Sequence, residues 1–113
     1  MLLVDDHDGF RRMARLLLQS GGYAVVGEAA SAAEAIASAY KLEPDLVMLD
    51  VLLPDGDGAE VAVELAALPH PPGVVLISSY PASGLGKRVE DAPVLGFIQK
   101  DALSVARLAE LFG

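Results

Sequence analysis

The chain has 113 residues, 53% of them hydrophobic, no cysteine, and a formal charge of −8 from 16 acids against 8 bases. That length suits one compact domain, residues 1–113, with a core large enough to need no staple, and disulfides and thiolate metal sites are excluded. The acidic balance repels phosphate backbones, so direct nucleic-acid binding is not expected; no apolar run reaches membrane-span length and Met1 opens no secretory signal, so a cytoplasmic protein that meets no membrane is expected.

Short apolar runs alternate with helical patterns along the chain. Leu2, Leu3 and Val4 form a first strand ending at Asp5 and Asp6. Phe10, Met13, Ala14, Leu17 and Leu18 then recur at helical spacing, and Gly21 and Gly22 stop that helix. Tyr23 to Glu28 reads as a second strand. Ser31 with Glu34 three residues on is a capping box opening a helix through Ala32, Ala35, Ile36 and Ala39. After Pro44, Leu46 to Leu49 is a strand running into Asp50.

A loop is expected from Val51 to Gly58, then a helix from about Ala59 to Leu68 and a strand over Val74 to Ile77. Ser83 to Asp91 is a weak stretch, because Gly84 and Gly86 disfavour a helix. Val94 to Ile98 reads as the fifth strand. A last amphipathic helix starts between Asp101 and Ser104 and presents Leu103, Leu108 and Leu111. Five nearly all-apolar strands alternating with helices imply an α/β fold, a doubly wound parallel sheet covered on both faces and ordered 2-1-3-4-5. A small Rossmann-type variant is the alternative.

In that order four adjacent strands end in polar groups: Asp5 and Asp6, Asp50, Ser78 with Ser79, and Lys100. Open α/β sheets bind their ligands at this edge. Taken singly, Asp5 and Asp6 fit helix capping, Ser78 a turn and Lys100 an ordinary surface lysine. Together they form a constellation. Two like charges about 4 Å apart cost on the order of 4 kcal/mol at an effective dielectric of 20, so three carboxylates need compensation. Lys100 offsets one charge, and a hard, oxygen-seeking divalent cation such as Mg²⁺ suits the rest. A carboxylate so neutralised, beside a lysine and a hydroxyl, is equipped for aspartyl-phosphate chemistry.

Val4–His7 (VDDH), Asp50–Gly58 (DVLLPDGDG), the LISS of the fourth strand and Gly96–Lys100 (GFIQK) together resemble the receiver domain of two-component response regulators over essentially the whole chain. The resemblance implies a flavodoxin-like, three-layer receiver fold. It assigns Asp50 as phosphoacceptor, Asp6 as a direct Mg²⁺ ligand, Asp5 as a ligand through water, and the main-chain carbonyl of Leu52 as a further ligand. Ser78 takes the place of the switch hydroxyl, Phe97 that of the switch aromatic, and Lys100 that of the family's lysine. A histidine kinase or phosphotransfer protein is the implied donor, and the fourth helix, fifth strand and fifth helix the implied face for a downstream partner. Homodimerisation on phosphorylation is a further expectation. No enzyme activity is expected beyond self-phosphorylation and autodephosphorylation at Asp50.

The start DDHDGFRRMARLLL looks like receivers joined to a helix-turn-helix output domain, yet the chain ends just after the fifth helix, and a stand-alone receiver is expected. Pro81, Gly84, Gly86 and Pro93 predict a short or irregular fourth helix. Asp101 follows Lys100 where many relatives carry proline, so no cis bond is expected there. Leu52 and Tyr80 occupy positions that tune acyl-phosphate hydrolysis in the family, and their bulk predicts a long-lived phosphorylated state. Arg11 and Arg15 read as a solvated basic face, with docking of an acidic donor as the functional alternative; His7 reads as a capping or hydrogen-bonding imidazole, and His70 as exposed. A flavodoxin-like electron carrier would need a Ser/Thr/Gly phosphate cradle where Asp5, Asp6 and Asp8 stand, and a haloacid-dehalogenase-type phosphatase needs a longer chain. The remaining rival is a degenerate receiver that binds partners without phosphorylation.

Overall fold

Leu2, Leu3 and Val4 are all buried, so the first strand must be covered on both faces, and the rest of the architecture follows from that demand. The computed structural model describes residues 1–112. Counting only strands of the main sheet, the elements are β1 (Leu2–Val4), α1 (Asp8–Ser20), β2 (Gly27–Ala29), α2 (Ala32–Leu42), β3 (Leu46–Asp50), α3 (Gly58–Ala66), β4 (Gly73–Ser78), α4 (Lys87–Glu90), β5 (Gly96–Gln99) and α5 (Val105–Phe112). All pairings in this sheet are parallel and the order is 2-1-3-4-5.

Side chains alternate across the sheet. Leu2, Val4, Val47 and Leu49 face the alanines of α2 and Val61, Ala62 and Leu65 of α3. Leu3, Met48, Val75 and Ile98 face Ala14 and Leu18 of α1 and Leu108 of α5. The alanine-rich α2 presents Ala32, Ala35 and Ala39, whose small side chains let it lie close on the sheet. Among the described residues no helix is long and apolar enough to cross a membrane.

Ser31 caps α2 as expected, its Oγ accepting the Glu34 N–H at 3.2 Å. The Glu34 carboxylate reaches back to the Ala30 N–H at 2.7 Å. β2 is shorter than Tyr23 to Glu28, since only Gly27–Ala29 pairs with the three residues of β1. Tyr23 and Val25 instead pack against the α1/α5 core. β5 is shifted two residues toward Lys100 relative to the expected start at Val94.

The fourth-helix region bears out the irregularity expected of it. A 3₁₀ turn at Ala82–Gly84 and a single turn at Lys87–Glu90 replace a regular helix, with Gly86 at φ +93° between them. The acceptor loop holds more order than expected. Leu52–Leu53 and Gly56–Asp57 form a small antiparallel hairpin around the two-residue turn Pro54–Asp55.

Candidate phosphoacceptor site

β1, β3 and β4 end beside one another, and β5 leads directly into Lys100. The edge they make is the floor of an open crevice lined by Asp6, His7, Asp50, Leu52, Ser78 and Lys100, among others. Among the described residues, Asp5, Asp50 and Ser78 are the buried polar and charged ones, 1%, 3% and 0% exposed. Every residue proposed from sequence for the acidic centre is therefore brought to one place.

Asp50 is gripped on both oxygens. Oδ1 accepts the Leu52 N–H at 3.1 Å and Oδ2 accepts from Lys100 Nζ at 3.2 Å. The hairpin makes the first of these contacts available. Gly58 N donates to Val51 O at 2.7 Å, so Leu52 and Asp57 form a pair that exchanges no ladder hydrogen bonds, and the Leu52 N–H is free for Asp50. Lys100 Nζ also lies 2.5 Å from Asp5 Oδ2 and 4.5 Å above the Phe10 ring. Burial and then the Asp5 charge raise the pKa of Asp50, outweighing the Leu52 N–H and Lys100. Burial would depress the Lys100 ammonium, but Asp5 and Asp50 overcome it and its pKa is raised.

The residues fit a divalent cation. Asp5 Oδ2 is buried, with Lys100 Nζ 2.5 Å away as its ion-pair partner. Asp5, Asp6, His7 and Asp50 each offer a ligand atom within 4.8 Å of the others. Three carboxylates against one ammonium leave an electrostatic surplus of oxygen donors, the donor type that Mg²⁺ selects.

Ser78 Oγ accepts the Tyr80 N–H at 3.0 Å at the edge of the crevice. Phe97 is half-buried and packs against the cluster that includes Val89 of α4 and Leu85 just before it. Leu52 and Tyr80 flank the crevice, 46% and 58% exposed, with only an alkyl chain and a phenol to offer an incoming water.

Several contributors escaped the sequence reading. Arg11 and Arg15 do not form a free basic face. Nε of each donates to a different oxygen of Glu28, at 3.0 and 2.9 Å, while Arg11 also holds the Asp5 carbonyl and the Asp8 carboxylate. Arg11 thus buttresses the turn carrying the acidic pair. Asp55 accepts the Ala32 N–H at 2.6 Å and the Ala33 N–H at 3.1 Å, clamping the acceptor hairpin to the start of α2. Asp57 caps α3 through the Ala59 N–H at 2.7 Å and accepts from Arg88 of α4. The tripeptide Pro54-Asp55-Gly56, between Leu53 and Asp57, was a readable turn signal. No local signal marks Phe10 or Arg88, whose partners lie far along the chain.

Burial would raise the Glu28 carboxyl, but its hydrogen bonds from Arg15 and Arg11 hold it below the ordinary value. A depressed acid stabilises the fold above its unfolded pKa of about 4.3, and that contribution disappears as pH falls through the folded value. Glu28→Gln is therefore expected to cost about 0.5–1 kcal/mol at pH 7, reduced by solvent screening, with the gap from wild type closing below about pH 4. Urea denaturation at both pH values checks this.

An α/β domain whose sheet edge holds a buried, lysine-paired aspartate in an acidic crevice has the architecture of a signalling receiver. Residues 1–111 match the response regulator receiver domain family, and the chain belongs to it. It is 36% identical over 101 residues to the response regulator protein VraR of Staphylococcus aureus, and 32% identical over 100 residues to the transcriptional regulatory protein PdtaR of Mycobacterium tuberculosis. Each alignment covers 88% of this chain and 48% of the relative, so the chain spans about half the length of these curated relatives. The crystal structure of a two-component response regulator of the LuxR family from Aurantimonas sp. superposes with a TM-score of 0.84 at 30% identity, over 96% of this chain and 78% of that one.

Proposed function

We propose that this receiver accepts a phosphoryl group on Asp50 in a Mg²⁺-dependent reaction and converts it into a change at the surface formed by α4, β5 and α5. The observation that carries the reading is the setting of Asp50. It is buried, yet one oxygen faces Lys100 and the other a backbone N–H at the floor of an open crevice.

A carboxylate oxygen of Asp50 attacks the phosphorus of a phosphohistidine donor, the P–N bond breaks, and the imidazole leaves and recovers a proton. Lys100 stabilises charge on the transferred oxygens, and Ser78 turns from the Tyr80 N–H to hydrogen-bond one of them. Asp5, Asp6, Asp50 and the Leu52 carbonyl would hold Mg²⁺, which when bound neutralises the carboxylates and the incoming phosphoryl oxygens. Phe97 follows Ser78 into the vacated space, a two-state change biased by phosphate. The donor in this reading is a histidine kinase or phosphotransfer protein, in the cytoplasm, and the receiver of the signal is a protein that docks on the altered face.

Intact mass after incubation with acetyl phosphate tests this. One added phosphoryl group in wild type, requiring Mg²⁺ and absent from Asp50→Asn, is the expected result. A chain that stays unmodified with acetyl phosphate and with a competent phosphohistidine donor would instead be a phosphorylation-independent interaction module.

The acyl phosphate is expected to be long-lived, since neither Leu52 nor Tyr80 orients an attacking water. Leu52→Asn combined with Tyr80→Glu is expected to shorten its half-life about tenfold, a gain of roughly 1.4 kcal/mol in transition-state stabilisation. Loss of the phosphorylated mass over time reads this directly, and an unchanged half-life would move control to other residues.

A further inference from the structure

His7 directly follows the two acids and is the N-cap residue of α1, but its side chain makes no cap hydrogen bond. The imidazole turns instead into the acidic centre. Nδ1 lies 3.1 Å from Asp5 Oδ1 and 3.1 Å from Asp6 Oδ1, while the His7 backbone N–H donates to Asp5 Oδ1 at 2.8 Å. The side chain is 69% exposed, so core packing does not impose this orientation. The carboxylates of Asp5 and Asp6 hold it there.

The spacing has a chemical meaning. Adjacent ligand atoms about 2.1 Å from a common octahedral cation are about 3.0 Å apart. The separations between Nδ1 and the two carboxylate oxygens are those of neighbouring ligands, as well as those of hydrogen bonds. The buried Asp5, whose Oδ2 pairs with Lys100, offers a ligand atom to the same cluster. A nitrogen donor changes what such a centre prefers. Carboxylates and carbonyls suit Mg²⁺, whereas imidazole favours first-row transition dications.

We infer that His7 is a metal-specificity residue, adding an imidazole ligand to the oxygen site so that it takes a nitrogen-seeking dication such as Co²⁺ in preference to Mg²⁺. This rests on the metal-dependent reading of the acidic centre. It adds to that reading a residue to which the family resemblance assigns no ligand role, and it makes the cation bound in vivo a matter of metal supply as well as of the site.

The test uses the whole chain loaded with Mn²⁺ as a spin probe, with Mg²⁺ and Co²⁺ dissociation constants measured by competition. Wild type is expected to show a ¹⁴N coupling to Mn²⁺ in pulsed electron paramagnetic resonance, and His7→Ala to lose it. Losing an outer partner of a metal ligand typically costs 10–100-fold in affinity, so losing a ligand should weaken Co²⁺ binding about tenfold or more while Mg²⁺ binding changes little. Because His7 is exposed, the variant should remain folded, and its circular dichroism checks that. Bound Mn²⁺ without nitrogen coupling, or equal losses for Co²⁺ and Mg²⁺, would overturn the inference and leave the phosphoacceptor reading standing. No binding of any of the three cations would remove both.

Discussion

Gly58→Ala is expected to lower stability by about 3 kcal/mol or more and to abolish phosphorylation of Asp50. A Cβ at this position would lie 2.3 Å from the Asp50 carbonyl oxygen and 2.9 Å from Val51 Cα. Both are backbone atoms of the strand end that carries the acceptor, so no side chain can swing aside. Relief requires α3 to retreat from β3. That movement would break the Gly58 N–H bond to Val51 O and draw the hairpin, with the Leu52 N–H, away from Asp50. Stability and function should therefore fall together, with a Tm lowered by roughly 10 °C or more. Thermal unfolding alongside intact-mass phosphorylation would check the coupling. An alanine variant of wild-type stability would mean that the loop has another packing available.

Lys100→Met is expected to cost about 3–5 kcal/mol at neutral pH in the absence of Mg²⁺, and to stop phosphoryl transfer. Lys100 pairs with two carboxylates, and the three side chains are 12%, 2% and 4% exposed for Lys100, Asp5 and Asp50. Removing the ammonium leaves two like charges facing each other in a dry setting. The sign of the pH response follows from Asp50, whose folded pKa is already raised by burial and by Asp5. A raised acid binds its proton more tightly in the folded state, so it detracts from stability once pH rises through the folded value. Lys100→Met should push that value higher still. The variant should regain stability on acidification, on addition of Mg²⁺, and when Asp50→Asn is combined with it. Urea titrations with and without Mg²⁺ at pH 5 and pH 8 would show the pattern, and a loss insensitive to all three treatments would point to packing of the lysine stem on Phe10.

These two effects fall on residues of different legibility. The position of Lys100 was readable, because it ends an apolar strand beside three strand-end polar clusters. Gly58 was visible only as one glycine in a loop. Its requirement for bare backbone arises from the approach of α3 to β3, which no local pattern encodes.

What the amino-acid sequence determined by itself was the alternation of strands and helices, the sheet order, the crowding of Asp5, Asp6, Asp50, Ser78 and Lys100 at one edge, and the weakness of the fourth helix. All of these rest on short-range signals: apolar runs, caps, prolines and glycines act within a few residues, and crossover rules then leave little choice of topology. The tertiary structure alone decided the supports. The hairpin within the acceptor loop, its clamp by Asp55 on α2, the Asp57–Arg88 link to α4, the Glu28 anchor of Arg11 and Arg15, and the turning of His7 into the acidic centre all depend on side-chain directions and on chain segments meeting in space. An ion pair between residues 31 positions apart, such as Asp57 and Arg88, leaves no periodicity to read. Its existence follows only once the sheet has set the distance between the elements that carry them.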